Sequence, residues 1–388
     1  MRKVYLDHSA TTPIDPEVFN EMLPFLKEHF GNPSSLHSWG RKARKAVEGA
    51  RESVAKLISA DPSEIIFTGG GSESNNLAIK GTALALQGKG KHIITSSVEH
   101  HAVLEVCEWL EKIGFEITYL PVDEYGRVSV EDLKNKIRQD TILVSIMYGN
   151  NEVGTLQPIR EIGKICRERG IIFHVDGVQA VGHIPVNVKE DFIDMLTISA
   201  HKMYGPKGVG ALYIRKDIKP TPLIHGGGQE KGLRSGTENV AGIVGLGAAS
   251  KLALKRLSNG DEERVKKLRN KLIDGVLREI PDVILTGHRE ERLPFHASFC
   301  FKYIEGEAIV LRLDAAGIGA SSGSACSTGK PEPSHVLIAM GIPREIIHGS
   351  LRLTLGKDNS ESDIDYVIEK LKETVDDLRK ISPFGKEK

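Results

Sequence analysis

The sequence predicts an α/β fold in two unequal parts. Three observations carry that reading: 388 residues, short β-branched runs alternating with amphipathic segments, and a change of pattern after about residue 255. A chain of this length exceeds the size at which one apolar core stops growing, so two packed domains are expected. Alternating strand and helix signals mark a parallel sheet covered by helices. The candidate strands are Glu64–Thr68, His92–Ser96, Glu116–Leu120, Thr141–Met147, Ile171–Asp176, Met195–Ser199 and Gly210–Ile214. Helical periodicity falls between them near 72–88, 101–113 and 158–169. Beyond residue 255 come a charged helix over Asp261–Glu279, strands at Val283–Leu285 and Ala297–Phe301, a helix from Glu305, a strand at Ser350–Leu355 and a final helix from Glu361. The expected division is a large α/β domain over 16–255 and a smaller α+β domain made of 1–15 and 256–388.

Charge narrows the function classes. Lys plus Arg and Asp plus Glu both number 52, so no global field draws the chain to nucleic acid or an anionic membrane, and any charged ligand must be recognised locally. No apolar run approaches the length of a membrane span, and the start lacks the apolar segment of a signal peptide, so a soluble cytoplasmic protein is expected. The four cysteines, at 107, 166, 300 and 326, show neither CxxC spacing nor disulfide density. That fits a reducing compartment and predicts no metal.

Three stretches carry chemistry. In Thr68-Gly69-Gly70-Gly71-Ser72-Glu73-Ser74-Asn75-Asn76 a strand runs through glycines into a helix, where close backbone approach and free amides favour a phosphate. An ordinary glycine turn capped by Ser72 explains the same residues. Next, Ile171-Ile172-Phe173-His174-Val175-Asp176-Gly177-Val178-Gln179 ends a buried strand in an acid, at the strand end where ligands of open α/β sheets collect, although such an acid often only caps the following helix. The stretch Ser199-Ala200-His201-Lys202-Met203-Tyr204-Gly205-Pro206-Lys207-Gly208 then adds a lysine after another strand. A lysine amine for an aldehyde, an acid to protonate a pyridine nitrogen and donors for a phosphate are the elements that a Schiff-base cofactor needs. Read alone, Lys202 is a solvated surface lysine; read with Asp176 and the Gly71-Ser72 turn, it completes that set.

A further stretch, Gly319-Ala320-Ser321-Ser322-Gly323-Ser324-Ala325-Cys326-Ser327-Thr328-Gly329, lacks large apolar anchors and predicts an exposed loop with a thiol near its centre. Cys107, Cys166 and Cys300 sit in apolar or helical patterns and read as small buried hydrophobes.

Together with YLDHSATT, VEHH, NNEVG and RSGTEN, these motifs resemble the NifS/IscS-type cysteine desulfurases, in the family's order and over nearly the whole chain. The resemblance implies a PLP-dependent transferase of the aspartate-aminotransferase-like fold type I, working as a homodimer with pyridoxal 5'-phosphate. It implies Lys202 as the Schiff-base lysine and base, Asp176 as partner of the pyridine nitrogen, and Gln179 as donor to the ring's phenolic oxygen. His100 would stack on the ring, while Gly71, Ser72, Ser199 and His201 hold the phosphate with Thr237 from the other subunit. Asn151 would lie near cofactor and substrate, and Arg352 would bind the carboxylate of L-cysteine. Without the resemblance, His100 reads as a core or capping histidine and Arg352 as half of a surface ion pair.

The implied reaction leaves L-alanine and a persulfide on Cys326, which passes sulfur to an acceptor such as an iron–sulfur scaffold and contributes to cluster transfer. A selenocysteine lyase or another aminotransferase-like enzyme would need Lys202 without always needing Cys326. A non-catalytic sulfur relay would need neither the lysine nor the acid.

Overall fold

The computed structural model describes residues 2–322 and 333–383. Its elements run β1 (Val4–Tyr5), α1 (Pro16–Lys27), α2 (Ser38–Leu57), β2 (Ile65–Thr68), α3 (Gly71–Leu86), β3 (His92–Ser96), α4 (His101–Lys112), β4 (Glu116–Leu120), α5 (Val130–Lys136), β5 (Thr141–Met147), α6 (Ile159–Arg169), β6 (Ile172–Asp176), β7 (Met195–Ser199) and β8 (Gly210–Ile214). There follow α7 (Val240–Ser258), α8 (Asp261–Glu279), β9 (Val283–Leu285), β10 (His296–Phe301), α9 (Gly306–Ala315), β11 (Ile318–Gly319), α10 (His335–Ala339), α11 (Arg344–Ile347), β12 (Ser350–Thr354) and α12 (Glu361–Ile381).

Seven strands form one sheet in the order β2-β8-β7-β6-β5-β3-β4. All seven residues of β5 are buried, as expected of a strand covered by helices on both faces. The expectation of a parallel sheet needs one correction: β8 runs antiparallel to both β2 and β7. A short return between Ser199 and Gly210 joins β7 to β8, and a connection without a crossover helix joins antiparallel strands. Because β8 opposes both neighbours, β2 still points the same way as β7, β6, β5, β3 and β4. Their carboxyl ends therefore open on one side of the sheet.

Each predicted element is observed to within a residue or two, whereas β1, α1, α2, α5, α7, β11, α10 and α11 have no counterpart among the predicted elements. Glu64 falls outside β2 because it belongs to a capping box: Asp61 accepts from Ser63 N–H while the Glu64 carboxylate accepts from Asp61 N–H. A second, antiparallel sheet has the order β12-β10-β9, backed by α8 and α9, with α12 packed against both helices.

The first residues tie the two sheets together. Val4–Tyr5 pairs in parallel with Ile318–Gly319, and Asp7 bridges Thr354. A few residues later, Thr12 N–H donates to the His201 carbonyl (2.9 Å) and Tyr204 N–H to Thr12 Oγ1 (2.8 Å), which reaches the turn after β7.

Candidate active site

Five parallel strands deliver chemistry at their carboxyl ends. Thr68 leads through glycines to Gly71 and Ser72, Ser96 leads to His100, Met147 to Asn151, Asp176 ends β6, and Ser199 leads to His201 and Lys202. Arg352 enters from the second sheet, on β12, opposite Ser298 of β10. These side chains line one cavity of about 300 Å³, together with Gln179 and with Ser9, Ala10 and Asn75.

Lys202 Nζ donates to the carbonyls of Ser9 (2.6 Å) and Ala10 (2.7 Å), so main-chain oxygens of the amino-terminal segment hold the amine at the cavity wall. Its own carbonyl is pinned by His183 Nε2 at 2.7 Å. Burial lowers the His183 pKa to about 4, which makes the ring neutral near pH 7, and a neutral imidazole N–H can donate to that carbonyl.

Asp176 is buried and oriented through both oxygens. Asn75 Nδ2 donates to Oδ2 (2.7 Å) and Val178 N–H to Oδ1 (3.0 Å). Asn75 lies in the first turns of α3, so the glycine-turn helix also fixes the acid at the end of β6.

The start of α3 has the chemistry of an anion site. Its N-cap is Gly70, at φ 149° and ψ −175°, a region open in practice to glycine alone, and no side chain caps the helix. The ordinary reading of a Ser72 cap does not hold. A Cβ added at Gly71 would come within 3.0 Å of Val178 Cγ2, so the turn lies tight against the β6 strand end. Buried Ser199 stands beside it, and burial, with Lys202 and Lys207, lowers the His201 pKa to about 4. His201 Nδ1 lies 3.1 Å from Thr11 Oγ1.

His100 caps α4, its Nδ1 accepting from Ala102 N–H (3.1 Å), while the ring also lines the cavity. Burial lowers its pKa, Asp176 raises it and Lys202 lowers it further. Arg352, only 2 % exposed, donates from Nη1 to the Asn151 carbonyl (3.0 Å) and from Nη2 to Asp7 Oδ1 (2.9 Å). The surface ion pair that its sequence allowed is thus a buried one, and its buried Nε has no protein partner among the described residues. Gln179 Nε2 gives one N–H to the Ser9 carbonyl (3.0 Å), which leaves the amide's second hydrogen.

Thr237 does not line the cavity; it is exposed, on the loop after Arg234. Arg234 pairs with Glu73 on α3 (2.9 Å), which ties that loop to the glycine turn. Cys326 lies outside the described residues. The other three cysteines are fully buried, and burial raises all three thiol pKa values, that of Cys300 to about 12. Sequence reasoning assigned no role to Ser9, Ala10, Asn75 or Asp7, although all four lie inside the quoted YLDHSATT and TGGGSESNN motifs.

The residues fit pyridoxal phosphate in three respects: an uncapped helix start for the phosphate, a held carboxylate for the ring nitrogen and a lysine amine for the aldehyde. Among the described residues no cluster of His, Cys, Asp and Glu could hold a metal ion, and no helix is long and apolar enough to cross a membrane.

The aminotransferase class-V family model matches residues 4–367. A cysteine desulfurase IscS of Dictyoglomus turgidum is 58% identical over 386 residues, covering 100% of this chain and 98% of its own. Among solved structures, a NifS-like protein superposes with a TM-score of 0.91 at 41% identity, covering 97% of this chain and 100% of its own. A structure described as SspA in complex with cysteine gives 0.81 at 38% identity, covering 91% and 99%. The chain belongs to the aminotransferase class-V family.

Proposed function

We propose that this chain is a pyridoxal-phosphate-dependent cysteine desulfurase. It takes sulfur from L-cysteine, leaves L-alanine and keeps the sulfur as a persulfide on Cys326 for an acceptor protein, with an iron–sulfur scaffold as the acceptor class. The observation that carries this reading is the meeting of Lys202, Asp176, the uncapped start of α3 and Arg352 on one cavity. The names of its relatives add the substrate.

When bound, pyridoxal phosphate supplies an aldehyde for amines and an electron-accepting ring that stabilises negative charge on the substrate's α-carbon. Asp176, fixed by Asn75 and Val178, keeps a proton on the ring nitrogen. Gly71, Ser72, Ser199 and His201 hold the phosphate, and Thr237 of a second copy completes that shell in a homodimer. Gln179 would offer its second N–H to the phenolic oxygen, and the half-buried His100 ring would pack against the cofactor. Arg352, with its plane set by Asp7 and the Asn151 carbonyl, receives the substrate carboxylate. Lys202, whose amine would hold the aldehyde at rest, is the base that would move the substrate's α-proton. The Cys326 thiolate takes the substrate sulfur, so that cysteine plus enzyme thiol become alanine plus enzyme persulfide. The large domain over 16–255 would do the carbon chemistry, and the part made of 1–15 and 256–388 would carry the sulfur. A cytoplasmic setting suits a thiol that must stay reduced between turnovers.

Purified protein should be yellow and should release alanine from L-cysteine, and Lys202→Ala should lose both the colour bound to protein and turnover. Retention of the wild-type absorption in Lys202→Ala would show that another amine holds the cofactor.

A further inference from the structure

Of the buried carboxylates that the proposed mechanism does not use, Glu99 and Glu152 stand out because each is next in sequence to a cavity residue, His100 and Asn151. Glu152 is 8% exposed. Its main chain is fixed by a side-chain turn, with Asn150 Oδ1 accepting from Glu152 N–H (2.8 Å) and Val153 N–H (2.9 Å), while Asn150 Nδ2 donates to the Val98 carbonyl (2.9 Å). The carboxylate forms no ion pair among the described residues; the nearby Arg352 is paired with Asp7 instead. Burial raises its pKa to about 7. An unpaired buried acid costs stability that an apolar or amide side chain would not, so packing gives no reason for a carboxylate here.

The partner it does have is Ser334. The hydroxyl donates to Glu152 Oε2 (2.5 Å) and accepts from Leu337 N–H (3.2 Å), using both its capacities. The next residue, His335, places Nε2 2.9 Å from the Glu99 carbonyl, and its ring centroid lies 5.0 Å from that of His101. Val336 and Leu337 then bury against Val98 and Val153. On the other side of the thiol in sequence, Ser321 exchanges two main-chain hydrogen bonds with Arg352 (2.7 and 3.3 Å). The described chain on either side of Cys326 is thus held by Arg352 itself and by the sequence neighbours of Asn151 and His100.

We propose that Glu152 is a positioning residue for sulfur transfer: by accepting from Ser334, it anchors the chain that follows Cys326 beside the cavity residue Asn151. The inference rests on the desulfurase reading of Cys326. Among the described residues Glu152 bonds to Ser334 and to none of the groups proposed to react. Its effect belongs in the step that needs the thiol and not in the binding of cysteine.

The test is steady-state turnover of L-cysteine by the holoenzyme with dithiothreitol as sulfur acceptor, in wild type, Glu152→Ala, Glu152→Gln, Ser334→Ala and the Glu152→Ala/Ser334→Ala double variant. Misplacing a reacting group by about an ångström costs up to about a hundredfold in rate, so Glu152→Ala and Ser334→Ala should each lower kcat by about tenfold or more. The KM for cysteine and the cofactor absorption should stay at wild-type values. Glu152→Gln keeps the acceptor oxygen and should stay within about threefold of wild type, and the double variant should be no slower than the slower single one, because both remove the same contact. Wild-type kcat in Ser334→Ala, losses that multiply in the double variant, or a change confined to KM would each overturn the inference. Should Glu152→Ala fail to fold, Ser334→Ala, which removes one hydroxyl, decides alone. A wild-type enzyme that forms no alanine overturns the desulfurase reading, whereas an active wild type matched by Ser334→Ala overturns only the role of Glu152.

Discussion

Glu99 shows at the level of one side chain how a buried acid behaves when nothing neutralises it. Its Oε1 accepts from Ser96 Oγ (2.6 Å) and Met147 N–H (3.0 Å), while Oε2 has no partner among the described residues. Burial, reinforced by the Asp176 charge, raises its pKa to about 8 against the two hydrogen bonds that favour ionisation. Unfolded, the group ionises near 4.5, so between that pH and about 8 the unfolded chain releases a proton that the folded chain keeps. Stability therefore falls as pH rises through this window, by roughly 3–5 kcal/mol for a shift of this size. Glu99→Gln should remove that slope: urea midpoints at pH 5.5, 7 and 8.5 should converge on those of wild type at the acid end and exceed them at pH 8.5. Parallel curves would show that Glu99 titrates normally. Neither this acid nor Glu152 was legible as a buried partner in the sequence. Both lie in quoted motifs, VEHH and NNEVG, but their environments come from β5 and from the segment at Ser334, which no local pattern reveals.

Among the elements, the junction of β2 with α3 was the most legible, because glycine, a helix start and a preceding strand all lie within ten residues of sequence. Local chemistry fixes what it does. Gly70 occupies a backbone region that costs other residues about 1–3 kcal/mol, although open space surrounds its Cβ position. Gly70→Ala should lower the unfolding free energy by that amount. It should also weaken retention of pyridoxal phosphate about tenfold or more, measured as cofactor lost on dialysis, because the same turn aims the helix amides. An unchanged midpoint would mean that the turn relaxes freely. Orientation of β8 was not legible: its residues read as a strand whichever way it runs, and only the short return after β7 decides that it opposes its neighbours. The role of Asn75 was hidden for a similar reason, since its partner Asp176 lies 101 residues away.

For the molecule as a whole, length and element order were enough to predict a large α/β part and a smaller α+β part, but not how their sheets are joined. Residues 4–12 do this work. They add a strand beside β11, pair Asp7 with Arg352, bring the Ser9 and Ala10 carbonyls to Lys202 and meet the turn at His201. The segment thus links the arginine proposed to bind substrate on one sheet to the lysine that follows β7 of the other. On the proposed reading the carbon chemistry belongs to the cavity and the sulfur chemistry to Cys326, because Cys107, Cys166 and Cys300 are too deeply buried to serve.

The most direct test of this division is to give the wild-type holoenzyme one equivalent of L-cysteine without any acceptor, then measure alanine and map added sulfur by peptide mass spectrometry. One alanine per active site and one extra sulfur on the Cys326 peptide are predicted. Alanine with no sulfur on Cys326, or sulfur on Cys107, Cys166 or Cys300, would contradict the account.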